Sequence, residues 1–257
     1  MPTAAITVCK SVYEKNTNID FLIFLFSNFY SSYIFADDSK DSCAVEVRDT
    51  VARYLKVESF SPISDGGVIV SESCKSWPYK DKFLLAVFAF DKGVEYQKSL
   101  FVAVLNMRTM DIVSSQQSIV DEDAMIEVGE SSFQFDTARY QLTKDIRAFG
   151  LRFHSSAIGP SCADSMPGDE LTLFVQEKNN LRSVLTMYMR QQNALSGCIG
   201  TSTRQDILEY SNKTISIEKT STHDFNDLRI IDTVRVESNI NGRVGSYLMK
   251  YDGKQYK

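Results

Sequence analysis

The chain has 257 residues, 43% of them hydrophobic and 11% aromatic, with 28 basic against 33 acidic side chains and a formal net charge of −5. That length buries a proper core, as one large domain or two small ones. The mild acidity, without a basic cluster, heptad run or low-complexity tract, disfavours nucleic acid and anionic lipid surfaces, which select basic patches.

From Phe21 to Ala36 the chain carries no charge, and it then turns to Asp37-Asp38-Ser39-Lys40. An apolar segment closed by a small residue before a polar start has the layout of a secretory signal. It predicts a cleaved leader over residues 1–36 and a mature chain over 37–257, periplasmic or secreted. Lys10 and Lys15 are offset by Glu14 and Asp20, and Ile34 takes the minus-three position, so the layout is imperfect. An uncleaved anchor and a buried core element are the alternatives. A span needs roughly 20 apolar residues, whereas this run holds three serines and an asparagine, so no stable membrane span is expected after cleavage.

The leader changes how the cysteines read. Losing residues 1–36 removes Cys9 and leaves Cys43, Cys74, Cys162 and Cys198, an even set suited to an oxidising compartment. Four cysteines allow three connectivities. Cys43–Cys74 with Cys162–Cys198 is preferred, because each closes a local loop worth roughly 3–4 kcal/mol in the chain-entropy model. Buried, reduced thiols are the other reading. Without a CxxC or a neighbouring His, zinc and redox readings have no support.

Ala44 to Val57 spaces Ala44, Val47, Val51, Tyr54 and Leu55 as a helix, with Arg48, Asp49 and Arg53 on the other side. After Gly66-Gly67 the pattern turns to strands. Phe83–Phe90 is a solid apolar run, as a strand buried on both faces would be. Leu100–Leu105 and Asp111–Ser115 flank Asn106-Met107-Arg108-Thr109 as a hairpin, and Ser118–Met125 reads as a short acidic helix or loop. Ser155–Gly168, with Gly159-Pro160 and Pro167-Gly168 around Cys162, is the weakest joint in an otherwise single domain. Ile146–His154 alternates, with Phe149, Leu151 and Phe153 on one face, and Leu171, Leu173 and Val175 alternate likewise. Thr214–Glu218, Leu228–Glu237 and Val244–Tyr251 read as further strands, and Asn241-Gly242 and Asp252-Gly253 are strong hairpin signals. The fold expected is mainly β, an antiparallel sandwich or partial propeller-like sheets with one or two short helices, α+β being second choice. Acidic or polar starts at Asp81, Asp169 and Asn226 before strands hint at a repeated unit.

Chemistry-bearing motifs are few. GxSxG, HExxH, GxxxxGK[ST] and GxGxxG are all missing. His154 reads as a sheet-end imidazole. His223, Asp224, Asn226 and Asp227 suit an Asx-rich turn better than a calcium site, since a following Gly and a bidentate Glu are lacking. Glu122, with Asp121, Asp123, Glu127 and Glu130, forms an acidic patch; paired carboxylates could cleave glycans, with Trp77, Tyr79 and Tyr96 as sugar platforms. Asp136, Arg139, Arg147 and Arg152 read as a corner in which an arginine pairs with Asp136. The ending from Asp227 through Tyr251-Asp252-Gly253-Lys254-Gln255-Tyr256 resembles the closing strands of exported β-rich bacterial proteins, a resemblance that implies no catalytic residue. The expectation is an exported envelope protein that binds another protein, of basic character, in the manner of an immunity or inhibitor module. No catalytic residue, cofactor or metal is assigned. The alternative is an exported glycan hydrolase using the carboxylates near Glu122.

Overall fold

A computed structural model describes residues 42–200, 206–237 and 239–257. The predicted leader over 1–36 lies outside the described residues. Those described form thirteen strands in two sheets and one helix, and none of their helices is long and apolar enough to cross a membrane.

The helix, α1 (Val45–Leu55), buries Val47, Thr50, Val51 and Ala52 along one stripe. It stops at Lys56, which turns left-handed (φ 58°), and the amides of Lys56 and Val57 return to the carbonyls of Arg53 and Ala52. Strands β1 (Val68–Ser76), β2 (Phe83–Asp91), β3 (Gln97–Asn106) and β4 (Ile112–Asp121) follow as an antiparallel meander. In β2 and β3 alternate residues go to different cores. Ala86, Phe88, Phe90, Phe101, Ala103 and Leu105 pack with Val47 and Val51 of α1, while Leu85, Val87, Ala89, Val102 and Val104 pack on the other face. Cover on both faces explains why Phe83–Phe90 is apolar without alternation.

Four more strands complete the first sheet: β5 (Phe133–Gln141), β6 (Arg147–Phe153), β8 (Glu170–Glu177) and β9 (Asn180–Tyr188). The order is β1-β2-β3-β4-β9-β8-β6-β5. Its two outer strands curl back towards each other. The hydroxyl of Ser71 on β1 donates to the carbonyl of Glu130 just before β5 (3.1 Å), and the Lys75 ammonium to that of Phe135 (3.2 Å). Phe133, Phe135, Phe149, Leu151 and Phe174 thereby join Trp77, Leu85 and Val87 in one inner core. Every pairing in this sheet is antiparallel except β4 with β9, which meet in parallel at one bridge, Ser115↔Asn180.

The second sheet, of order β13-β12-β11-β10-β7, uses β7 (Ser165–Pro167), β10 (Arg190–Ser196), β11 (Ile207–Thr222), β12 (Phe225–Val236) and β13 (Asn239–Met249). Its Leu228 and Ile230, with Phe225, Tyr251 and Tyr256, cover Leu171, Leu173 and Val184 on the outer face of β8 and β9. Here two layers pack as the expected sandwich does. The structure joins Cys43 to Cys74 and Cys162 to Cys198, with Cα–Cα distances of 5.0 and 4.9 Å. The first ties the start of α1 to β1; the second ties the 155–168 stretch to the turn after β10.

Three local expectations are corrected. Ser118–Asp121 continues β4 instead of forming a helix or loop, because Gln97–Leu100 on β3 pair with it residue by residue. Asn241 and Gly242 lie inside β13, since β12 and β13 already pair at Val236↔Asn239. The acidic starts at Asp81, Asp169 and Asn226 precede or open β2, β8 and β12, which belong to two differently ordered sheets and not to one repeated blade. Asp252-Gly253 does turn: the Asp252 carboxylate accepts the amides of Lys254 and Gln255, and Tyr251 bridges Tyr256.

Candidate ligand-binding cleft

Past the single bridge at Ser115↔Asn180, β4 and β9 share no further ladder pairs. The sheet opens there into a cavity of about 410 Å³, within the range of small-molecule sites. One wall follows from the register of three strands. Phe153, Glu170 and Tyr188 stand in one row across β6, β8 and β9; Leu151, Thr172 and Thr186 form the next; a bulge after Leu173 then sets Phe174 opposite Ser183. The facing wall is Gln116, Ser118 and Val120 of β4. Phe133, Leu151 and Phe174 are buried and continuous with the inner core, so the floor is apolar while much of the rim is polar.

The polar groups of the cleft are arranged unequally. The Thr172 and Thr186 hydroxyls bond each other at 3.1 Å. The side-chain carbonyl oxygen of Gln116 is buried without a hydrogen-bond partner, which is costly for an amide. Burial pushes the Glu170 carboxyl above its ordinary range. Burial also raises the Tyr188 hydroxyl, with the charges of Glu170 and Asp123 adding to it. Among the described residues lining the cavity, Asp121 and Glu170 are acidic and none is Lys, Arg or His.

Glu170 is placed by its neighbour. Asp169 accepts from Arg190 (2.7 Å), has the His154 imidazole at 3.3 Å and the Arg152 guanidinium at 3.9 Å. Burial works to raise the Asp169 carboxyl, but the Arg190 hydrogen bond and the surrounding positive charge outweigh it and hold it low. The Met189 amide donates to the Asp169 carbonyl and the Gly168 amide to that of Arg190, which fixes the start of β8 against the end of β9.

The residues singled out from the sequence lie elsewhere. Glu122 ion-pairs with Lys98 at 2.8 Å and accepts the amide of Val128 at 2.8 Å; Asp123 accepts the amides of Met125 and Ile126. These contacts hold a loop. Of the three proposed sugar platforms, Tyr96 touches Glu122 through the backbone, its carbonyl accepting the Glu122 amide. Trp77 is buried in the inner core and Tyr79 lies under the Arg147 guanidinium, both at the far end of β2. Arg152, and not Arg147, clasps Asp136 (2.7 and 2.9 Å), which also accepts from Tyr140. Arg147 instead reaches the carbonyl of Ala138. Asp227 is 3% exposed and accepts from Thr220 and Thr222, and the His223 ring meets the Tyr251 carbonyl. Among the described residues no group of three or more His, Cys, Asp or Glu could hold a metal ion.

A groove of about 450 Å³ between β1 and residues 130–134 is comparable in size. It is flanked by the two-point Arg48–Glu72 pair, whose Nε–Oε2 contact is 2.8 Å; Phe60 and Phe133 line it, against Phe133, Phe153, Phe174 and Tyr188 in the cleft. Sequence reasoning missed Gln116, Glu170 and Tyr188. The available signal was the second face of β8: Glu170 and Thr172 alternate with Leu171 and Leu173, which places polar side chains opposite a buried apolar row. No protein-family model, curated protein or solved structure matches the chain.

Proposed function

We propose that this chain is an exported, non-catalytic binding protein that holds a small, largely apolar molecule in the cleft between β4 and β9. The observation that carries this reading is the cleft itself: an aromatic floor, convergent polar groups and an opening where the sheet ladder stops. Two disulfides suit an oxidising compartment and hence export. The test is a fluorescence titration of the full chain with N-phenyl-1-naphthylamine, which brightens in apolar surroundings. Saturable enhancement is expected, and Thr172→Phe, which fills the cleft, weakens it at least about tenfold with the circular dichroism unchanged. Absent enhancement, or equal enhancement in the variant, contradicts the reading.

A second reading keeps the protein partner. Strand β13 forms an edge of the second sheet, and its Val244, Tyr247 and Leu248 are exposed. Such edges accept an added strand, and the net charge of −5 suits a basic partner. A pull-down from envelope extract that loses its partner on Val244→Lys with Leu248→Lys supports it; retention by the double variant counts against it. The glycan-hydrolase alternative gains no specific observation, since Glu122 is engaged by Lys98 and the Val128 amide.

A further inference from the structure

The geometry points to a protonated amine as the polar head of the cleft's ligand, with Glu170 as its counter-ion; this rests on the cleft being a ligand site. Three observations converge. First, the charge of the lining is one-signed: Asp121 and Glu170 are present and, among the described lining residues, no cation balances them. A pocket built for a carboxylate or phosphate head would present arginine or lysine there. Second, a residue that lines the cleft carries an acceptor without a partner. The Gln116 carbonyl oxygen is buried and unpartnered, and only a hydrogen-bond donor relieves it. An alkylammonium brings three N–H donors and a positive charge together. Third, Phe133, Phe153, Phe174 and Tyr188 supply aromatic faces around the same space, and these attract a cation and cover an apolar body.

Glu170 completes the argument. Burial disfavours its ionised form, so a neutral ligand leaves an expensive group in place, whereas an ammonium ion turns it into half of a charge-assisted pair. Arg152 and Arg190, which flank the adjacent Asp169, are engaged by Asp136 and Asp169 instead.

The test is calorimetric titration of the full chain at pH 7 with octylamine, octanol and octanoate, which share one tail and differ in the head. Octylamine is expected to bind about tenfold more tightly than octanol, with octanoate weakest. Glu170→Gln should bring octylamine to within about threefold of octanol, by weakening the amine far more than the alcohol. Gln116→Leu should weaken octylamine more than octanol, whose hydroxyl has a single hydrogen to donate and no charge. Equal binding of amine and alcohol, or preference for octanoate, overturns the cation assignment and leaves the apolar-ligand reading standing. An amine preference that survives Glu170→Gln belongs to the acidic surface at large and also overturns it. If none of the three binds, both readings fall.

Discussion

Strands β2 and β3 pair without interruption from Phe83↔Asn106 to Phe90↔Ser99, whereas β4 and β9, in the same sheet, meet only at Ser115↔Asn180. The first pair is covered on both faces, by α1 outside and the inner core within. The second exposes Ser118, Ser183, Thr186 and Tyr188 around a buried aromatic floor. One sheet therefore holds both a part built for stability and a part built to open. Where the apolar run is continuous, ladder and core reinforce each other. Where Gln, Ser, Thr and Glu interleave with aromatic residues, closing the ladder would bury polar groups without partners.

The comparison breaks most easily at the closed end. Phe88→Ala removes a side chain with no exposed surface from beneath α1 and should cost about 3–5 kcal/mol in urea unfolding. A loss below about 1 kcal/mol would show that the pair is not the stable half. Replacing Cys43 and Cys74 together by serine frees α1 from β1 and should cost about 2–5 kcal/mol, read as a lower urea midpoint than the oxidised parent.

A smaller effect concerns pH. Burial works to raise the Asp136 carboxyl, but the Ala138 amide, the Arg152 guanidinium and the Tyr140 hydroxyl hold it below its ordinary range. A depressed carboxyl contributes stability above its unfolded pKa of about 3.9, and that stability is lost as pH falls through the lower folded value. Asp136→Asn should therefore lower stability at neutral pH by about 1–3 kcal/mol and flatten its decline below about pH 4. An unchanged acid slope contradicts the assignment.

The smallest effect has the opposite sign. Burial raises the Glu170 carboxyl, so the folded state holds this proton more tightly than the unfolded one. The resulting stability is fully present below the unfolded pKa and is lost as pH rises through the folded value. Glu170→Gln removes that loss and should stabilise the protein at neutral pH by about 0.5–1 kcal/mol, measured as a higher melting temperature.

How much of this was legible in the sequence follows from the same contrast. The helix over Ala44–Val57, the doubly buried β2 and the alternating β6 and β8 were readable because one physical cause, burial of a face, sets each pattern. The acidic stretch at Ser118–Met125 misled because composition there records a strand running into an Asx turn at Asp123. Asn241-Gly242 misled because a local turn preference yielded to the register set by β12. The cleft was illegible for a different reason. Gln116, Glu170 and Tyr188 lie on three strands, and only the curl of the sheet and the parting of β4 from β9 bring them to one cavity. Glu122 drew attention through its acidic neighbours, yet its partners, Lys98 and the Val128 amide, could be known only from the fold.

The most direct test of the cleft as a ligand site is amide hydrogen exchange on the full chain, with and without saturating N-phenyl-1-naphthylamine. In the free protein, residues 116–121 of β4 and 181–188 of β9 should exchange faster than 85–89 of β2 and 101–105 of β3, because protection follows local pairing and burial. The probe should slow exchange in the first two segments and leave the last two unchanged. A seam as protected as β2 and β3 from the outset, or one indifferent to the probe, would contradict the account.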